Sequence, residues 1–202
     1  MANSGTVRFF DAQFRRQVAA GELALNPFEA RALPYVAGHV LDLGCGLGNL
    51  AIAAARNAAR VLALDASAAA IESLARRTGK LPIDARVADL SDYVPEGQFD
   101  TVVAIGLFMF FPCATARRQF GRALAAVRPG GVLVVNVLIE GTTYMDMFDE
   151  QAGYCLFAED EVPRALAGWQ VLDDRVEEYP APSGVKRFRT TIARSAGRTS
   201  AQ

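Results

Sequence analysis

A chain of 202 residues is long enough for one sizeable core and, by ordinary domain sizes, is read as a single domain. Hydrophobic residues make up 51% and charged residues 21%, which excludes a disordered or fibrous chain. The formal net charge is -1, with Lys and Arg scattered rather than striped, so no phosphate-neutralising surface and no nucleic-acid partner are expected.

In chain order, the stretch to Pro34 lacks strand signals. Phe10, Phe14 and Val18, with Arg15 and Arg16 between them, suggest an amphipathic helix placed to cover a ligand cleft. Short Val/Leu/Ile runs then alternate with Ala- and Arg-rich helical stretches, the pattern of βα units around a parallel sheet. Strands are predicted at His39 to Leu43, Arg60 to Leu64, Asp84 to Val87, Phe99 to Ile105 and Gly131 to Leu138. Helices are predicted from Asn49 to Asn57, Ser67 to Arg77, Ala114 to Val127 and Glu159 to Leu166. The segments Trp169 to Glu177 and Lys186 to Arg194 read as two antiparallel strands joined by a Pro-Ala-Pro-Ser-Gly turn.

The expected fold is therefore α/β: a single-domain, Rossmann-like three-layer sandwich whose seven-stranded sheet is mostly parallel and ends antiparallel. The domain is expected over residues 1–195, with 1–34 as a helical cover and 196–202 as a flexible tail. Cys45, Cys113 and Cys155 are widely spaced and lack zinc-type His spacing, so they read as reduced thiols, with no metal site. No run approaches the ~20 apolar residues that span a bilayer, and no signal-like N-terminus is seen. A cytoplasmic protein without a membrane partner is expected, acting on a small molecule; the sequence does not indicate its oligomeric state.

The most informative residues are Leu41-Asp42-Leu43-Gly44-Cys45-Gly46-Leu47-Gly48-Asn49, a strand running into a glycine-rich turn and a helix. Without Cβ atoms, Gly44, Gly46 and Gly48 let a bound group approach the main chain. A dinucleotide fingerprint wants its third glycine where this chain has Asn49, which speaks against NAD. Asp65 ends the second strand about twenty residues on, where a carboxylate accepts from both hydroxyls of a ribose, so a nucleoside is expected. The competing reading of Asp65 is a helix cap.

The run Val40-Leu41-Asp42-Leu43-Gly44-Cys45-Gly46-Leu47-Gly48, followed by Val61-Leu62-Ala63-Leu64-Asp65, resembles the cofactor signature of class I S-adenosylmethionine-dependent methyltransferases. Ala88-Asp89-Leu90, Phe99-Asp100-Thr101-Val102-Val103 and Val127-Arg128-Pro129-Gly130-Gly131 fit the same family in order. The likeness runs from about Val40 to Val137, with a weaker one to tellurite-resistance and related small-molecule methyltransferases.

That resemblance implies S-adenosylmethionine as cofactor and S-adenosylhomocysteine as product. It puts the Gly44–Gly48 turn, with Cys45 and Asn49, beside the methionine part, Asp65 on the ribose, and Ala66 and Ser67 beside adenine. Ala88, Asp89 and Leu90 would border the adenine, Asp89 accepting from its amino group, and Gly106 and Leu107 complete the cofactor set. Asp42 would face the cofactor amino group or serve only as an acceptor for the loop; Asp89 has a similar alternative as a turn residue.

Candidate acceptor residues are Phe108 and Phe111 in the aromatic run after the fourth strand, Phe9, Phe10 and Arg15 in the N-terminal helix, and Tyr144 after the fifth strand. The aromatic run reads equally as pocket or as core. No catalytic base is assigned: His39 lies at the wrong end of the first strand, and displacement at a methyl needs positioning more than proton transfer. An aminopropyltransferase-like enzyme and a non-catalytic cofactor-binding module stay open as alternatives.

Overall fold

Successive side chains of the central strands point to opposite faces and feed two separate apolar clusters, which makes the sheet the middle of three layers. The computed structural model describes residues 4–57, 59–148 and 153–197. Its strands are β1 (His39–Leu43), β2 (Arg60–Asp65), β3 (Ile83–Val87), β4 (Phe99–Ile105), β5 (Val127–Leu138), β6 (Gln170–Ala181) and β7 (Gly184–Arg194). They form one seven-stranded sheet in the order β3-β2-β1-β4-β5-β7-β6. β1 to β5 pair in parallel, while β7 runs antiparallel to both β5 and β6.

Leu41, Val102, Leu133 and Val135 point to one face and join Phe120 and Ala123 of helix α5 (Cys113–Ala126). Val40, Val103, Val132 and Val134 point to the other, joining Leu50 and Ala51 of α3 (Asn49–Arg56) and Ile71 and Leu74 of α4 (Ala68–Thr78). Strands buried on both faces need near-continuous apolar runs, and β1, with four of its five residues buried, has one.

Two helices precede the sheet. α1 (Ser4–Ala20) lies beside α4, and α2 (Pro27–Ala32) opens with a capping box in which the Asn26 side chain accepts from Phe28 and Glu29 backbone N–H groups. Arg31 of α2 makes a bidentate pair with Glu177 of β6, at 2.5 and 2.8 Å, and Phe28 packs on Tyr179 and Phe188 of the hairpin. The short α6 (Glu161–Ala165) buries Val162 before β6.

Three expectations change. β5 starts at Val127 rather than Gly131, because Val127 pairs with Phe99 across a register shift that sets Gly130 and Gly131 into the strand. The C-terminal hairpin turns on Pro182 and Ser183 alone; Pro180 and Ala181 pair with Val185 and Gly184, a place proline tolerates because β6 is an edge. Cys113 and Cys155 are not free thiols but a disulfide, their Cα atoms 4.6 Å apart. They are 42 residues apart in sequence, and only the return of the chain after β5 past the start of α5 brings them together. Of the expected tail, residues 198–202 lie outside the described residues. Among the described residues no helix is long and apolar enough to cross a membrane, and no cluster of His, Cys, Asp or Glu is built to hold a metal.

Candidate active site

The chain steps outward from β1 through β2 to β3, then crosses back to β4 on the other side of β1. This reversal opens a crevice at the carboxyl ends of β1 and β4, where open α/β sheets bind ligands. A cavity of about 320 Å³ lies there, within the range of small-molecule sites.

Its floor is the turn after β1. Gly44 and Cys45 both donate their N–H groups to the Leu64 carbonyl, at 2.8 and 3.0 Å, and Gly48 donates to Cys45 at 2.8 Å. Gly44, Gly46 and Gly48 all take positive φ. Their surroundings differ. A Cβ on Gly46 would meet the Phe14 ring across the cavity at 3.2 Å, whereas one on Gly48 would stand 2.5 Å from Leu74 of α4. Gly46 therefore keeps the cavity open, and Gly48 allows α3 and α4 to close together. From α4, Arg77 braces the turn by donating to the Leu47 carbonyl and to Asn49 Oδ1.

Asp65 ends β2 at the cavity wall. Its Oδ2 accepts from Gly46 N and its Oδ1 from Ser67 N, both at 2.8 Å. The cap of α4 is Ser67, whose hydroxyl accepts from Ala70 N and donates to Asp11 of α1. Asp65 thus braces two backbone turns while each oxygen keeps a lone pair for a ligand hydroxyl. Burial raises its pKa against the lowering effect of those N–H donors.

Asp42, 5% exposed, faces the same cavity and is pushed up to about 8, first by burial and then by the Glu29 and Asp65 carboxylates. Burial also raises Glu29. Cys45 is a buried free thiol whose pKa burial raises well above its ordinary value, so it contributes backbone to the turn rather than a nucleophile.

Of the expected cofactor residues, Asp42, Gly44, Cys45, Gly46 and Asn49 line the cavity from the β1 side. Asp65, Ala66 and Ser67 line it from β2, Asp89 and Leu90 from beyond β3, and Gly106 and Leu107 from the end of β4. Gly48 and Ala88 do not. Asp89 also accepts from Ser91 N at 3.0 Å, the turn contact of its alternative reading. Of the expected acceptor residues, Phe10 and Phe111 line the cavity.

The others are elsewhere. Phe108 is fully buried under α5, beside Phe120, because the 3₁₀ turn Phe108–Phe110 points successive rings to opposite sides. Phe9 and Arg15 lie on the outer side of α1, and Tyr144 packs under Lys186. His39 stacks on Phe99 at the opposite end of the sheet. The cavity adds Gln13, Glu22, Asn26 and Glu29, which the sequence reading did not single out, together with Phe14 of the expected amphipathic helix and Phe110 of the aromatic run. The Asn-Pro-Phe-Glu capping box was a legible signal for two of them.

The backbone cradle, the two-pronged carboxylate on β2 and the acidic pocket at Asp42 and Glu29 suit a nucleoside carrying a cationic arm. At this point the chain is recognisable by class: a doubly wound α/β domain with a cavity at its topological switch point. Comparison with known proteins narrows it. Residues 40–131 match the family model described as a methyltransferase domain. The chain is 33% identical over 122 residues to a ubiquinone biosynthesis O-methyltransferase of Bradyrhizobium sp. (strain ORS 278), covering 58% of this chain and 47% of that one. The fold matches TehB from Haemophilus influenzae (TM-score 0.71, 19% identity, 83% of this chain and 61% of that). It also matches N-methyltransferase NodS from Bradyrhizobium japonicum WM9 in complex with S-adenosyl-L-homocysteine (TM-score 0.69, 17% identity, 92% and 98%). The chain spans about half the length of the curated relatives it matches. The matched segment runs from β1 into the start of β5, and the architecture around it is the fold shared with these solved structures.

Proposed function

We propose that the protein is an S-adenosylmethionine-dependent methyltransferase acting on a small-molecule acceptor. The observation that carries this reading is the Asp65 carboxylate, fixed by Gly46 N and Ser67 N at 2.8 Å and facing a cavity floored by a glycine-rich turn. Bound there, S-adenosylmethionine supplies an activated methyl group on a sulfonium.

The chain's own residues bind, orient and exclude water. Asp65 holds the ribose hydroxyls, Gly44 and Gly46 present backbone to the methionine arm, and Asp42 with Glu29 receives its amino group. Phe10 of α1 packs edge-on against Phe110 at 4.9 Å, roofing the space beyond Leu107 where an acceptor enters. Two reactants held in line in a water-poor site need no protein base for displacement at carbon, and alignment supplies the acceleration.

Incubating the protein with isotopically methyl-labelled S-adenosylmethionine and a panel of small acceptors, followed by mass spectrometry, tests the reading. Labelled methyl on an acceptor with matching S-adenosylhomocysteine is expected. Tight binding without methyl loss across the panel contradicts it and favours a cofactor-binding module.

A further inference from the structure

We infer that the acceptor is an uncharged nitrogen or sulfur nucleophile on an apolar or aromatic body, and not an oxyanion or carboxylate. The inference rests on the cofactor reading above and adds the substrate class of the same site.

Charge comes first. The ionisable side chains that line the cavity, among the described residues, are Glu22, Glu29, Asp42, Asp65, Asp89 and the Cys45 thiol; no Lys, Arg or His lines it. The nearby cations are committed elsewhere: Arg77 holds the glycine turn from behind, and Arg15 and Arg16 point to solvent from α1. In the cofactor reading Asp42, Glu29, Asp65 and Asp89 are taken up by the cofactor, so the acceptor meets the apolar side of the cavity. There an anion leaving water finds no side-chain cation among the described lining residues, an arrangement that buried anions avoid.

Shape and polarity select what does fit. Beyond the glycine turn the cavity is walled by Val7, Phe10, Ile105, Leu107, Phe110 and Phe111. The Phe10 ring meets Phe110, and Phe110 meets Phe148, which stacks on Tyr154 at 4.7 Å, so the wall is backed by further rings. Aromatic faces and carboxylates both stabilise positive charge, and neither helps a negative one.

The chemistry matches this wall. The lone pair of an uncharged amine or thioether forms the new N–C or S–C bond. The methyl–sulfonium bond breaks, its electron pair stays on the cofactor sulfur, and the product is a cationic onium. No proton leaves in the step, so the transfer itself calls on no base. The positive charge is kept throughout, passing from cofactor to product between aromatic and acidic groups.

The test is calorimetric titration of the preformed S-adenosylhomocysteine complex with quinoline and with 2-naphthoate, bodies of similar shape that differ in charge. The expected result is quinoline binding at least about tenfold tighter than naphthoate, with several-fold loss of quinoline affinity in Phe110→Ala. Equal or tighter naphthoate binding, no binding of either compound, or quinoline binding unaffected by Phe110→Ala overturns the inference. Failure of S-adenosylhomocysteine itself to bind the wild-type protein overturns the cofactor reading, and the acceptor class falls with it. Loss of the acceptor preference with intact cofactor binding removes the acceptor class alone.

Discussion

Asp65 Oδ2 accepts a hydrogen bond from Gly46 N at 2.8 Å, tying the end of β2 to the middle of the turn that leaves β1. The bond aligns the carboxylate and the glycine turn along one cavity, so the two parts of the site are positioned by each other. Changes at the turn should then separate into those felt by the ligand and those felt by the fold.

Gly46 and Gly48 provide that separation. Both have positive φ, but a Cβ on Gly46 enters the cavity toward Phe14 and one on Gly48 enters the core at Leu74. Gly46→Ala is expected to weaken S-adenosylhomocysteine binding by about tenfold, with a smaller loss of stability. Gly48→Ala is expected to cost about 1–3 kcal/mol of stability through overpacking and backbone strain. Thermal melts and calorimetry on the two variants check this; equal effects on binding and stability in both would contradict it.

The acidity of Asp42 gives a pH signature. Its folded pKa of about 8 stands above the ordinary 3.8, through burial first and then the Glu29 and Asp65 carboxylates. Between those values the folded protein holds a proton that the unfolded chain has released. Stability is therefore greatest below the lower value and falls as pH rises through the upper one. Glu29 and Asp65, also raised, act in the same direction. Thermal melts from pH 5 to pH 8 on the unliganded protein should show a shallower decline in Asp42→Asn than in wild type. Parallel pH profiles would show that Asp42 is not the group responsible.

The Cys113–Cys155 disulfide ties the first residue of α5, just after Phe110 and Phe111, to the segment that carries Tyr154. It spans 42 residues, so its loss in Cys155→Ser is expected to cost about 2–4 kcal/mol of stability. The bridge lies on the aromatic side of the cavity, away from Asp65, and cofactor affinity should stay within a few-fold. A variant as stable as wild type would remove the structural role of the bridge.

Asp11 of α1 accepts from the Ser67 hydroxyl, which pins the N-terminal helix over the β2 side of the cavity. Asp11→Ala should speed S-adenosylhomocysteine release several-fold and raise hydrogen exchange along α1, leaving exchange in β1 and β4 unchanged. Unaltered release, measured by stopped-flow displacement, would mean that α1 does not gate the cavity.

The architecture was legible because its signals are local and repeated. Buried parallel strands require continuous Val/Leu/Ile runs, and the turns between them require glycine or a polar cap, as at Gly44 and Ser67. Asp65 was legible because its place depends only on β1 and β2 lying side by side. What the sequence did not disclose depends on contacts distant along the chain. Phe108 and Phe110 are indistinguishable by type, yet the twist of one 3₁₀ turn buries the first in the core and sends the second to the cavity. Glu29 joins Asp42 only because the Asn26 capping box sets α2 over the end of β1. The pairing of Cys113 with Cys155 follows from the path of the chain after β5, which no spacing encodes.

The central claim is that Asp65 and the glycine turn hold an adenosyl ligand. Calorimetric titration of the wild-type protein and Asp65→Ala with S-adenosylmethionine, S-adenosylhomocysteine and NAD tests it most directly. The expected result is saturable binding of both adenosyl ligands to wild type, weakened on the order of 100-fold in the variant as two charge-assisted hydrogen bonds are lost, with no binding of NAD. Equal affinity in both proteins, or binding of NAD alone, would contradict the account.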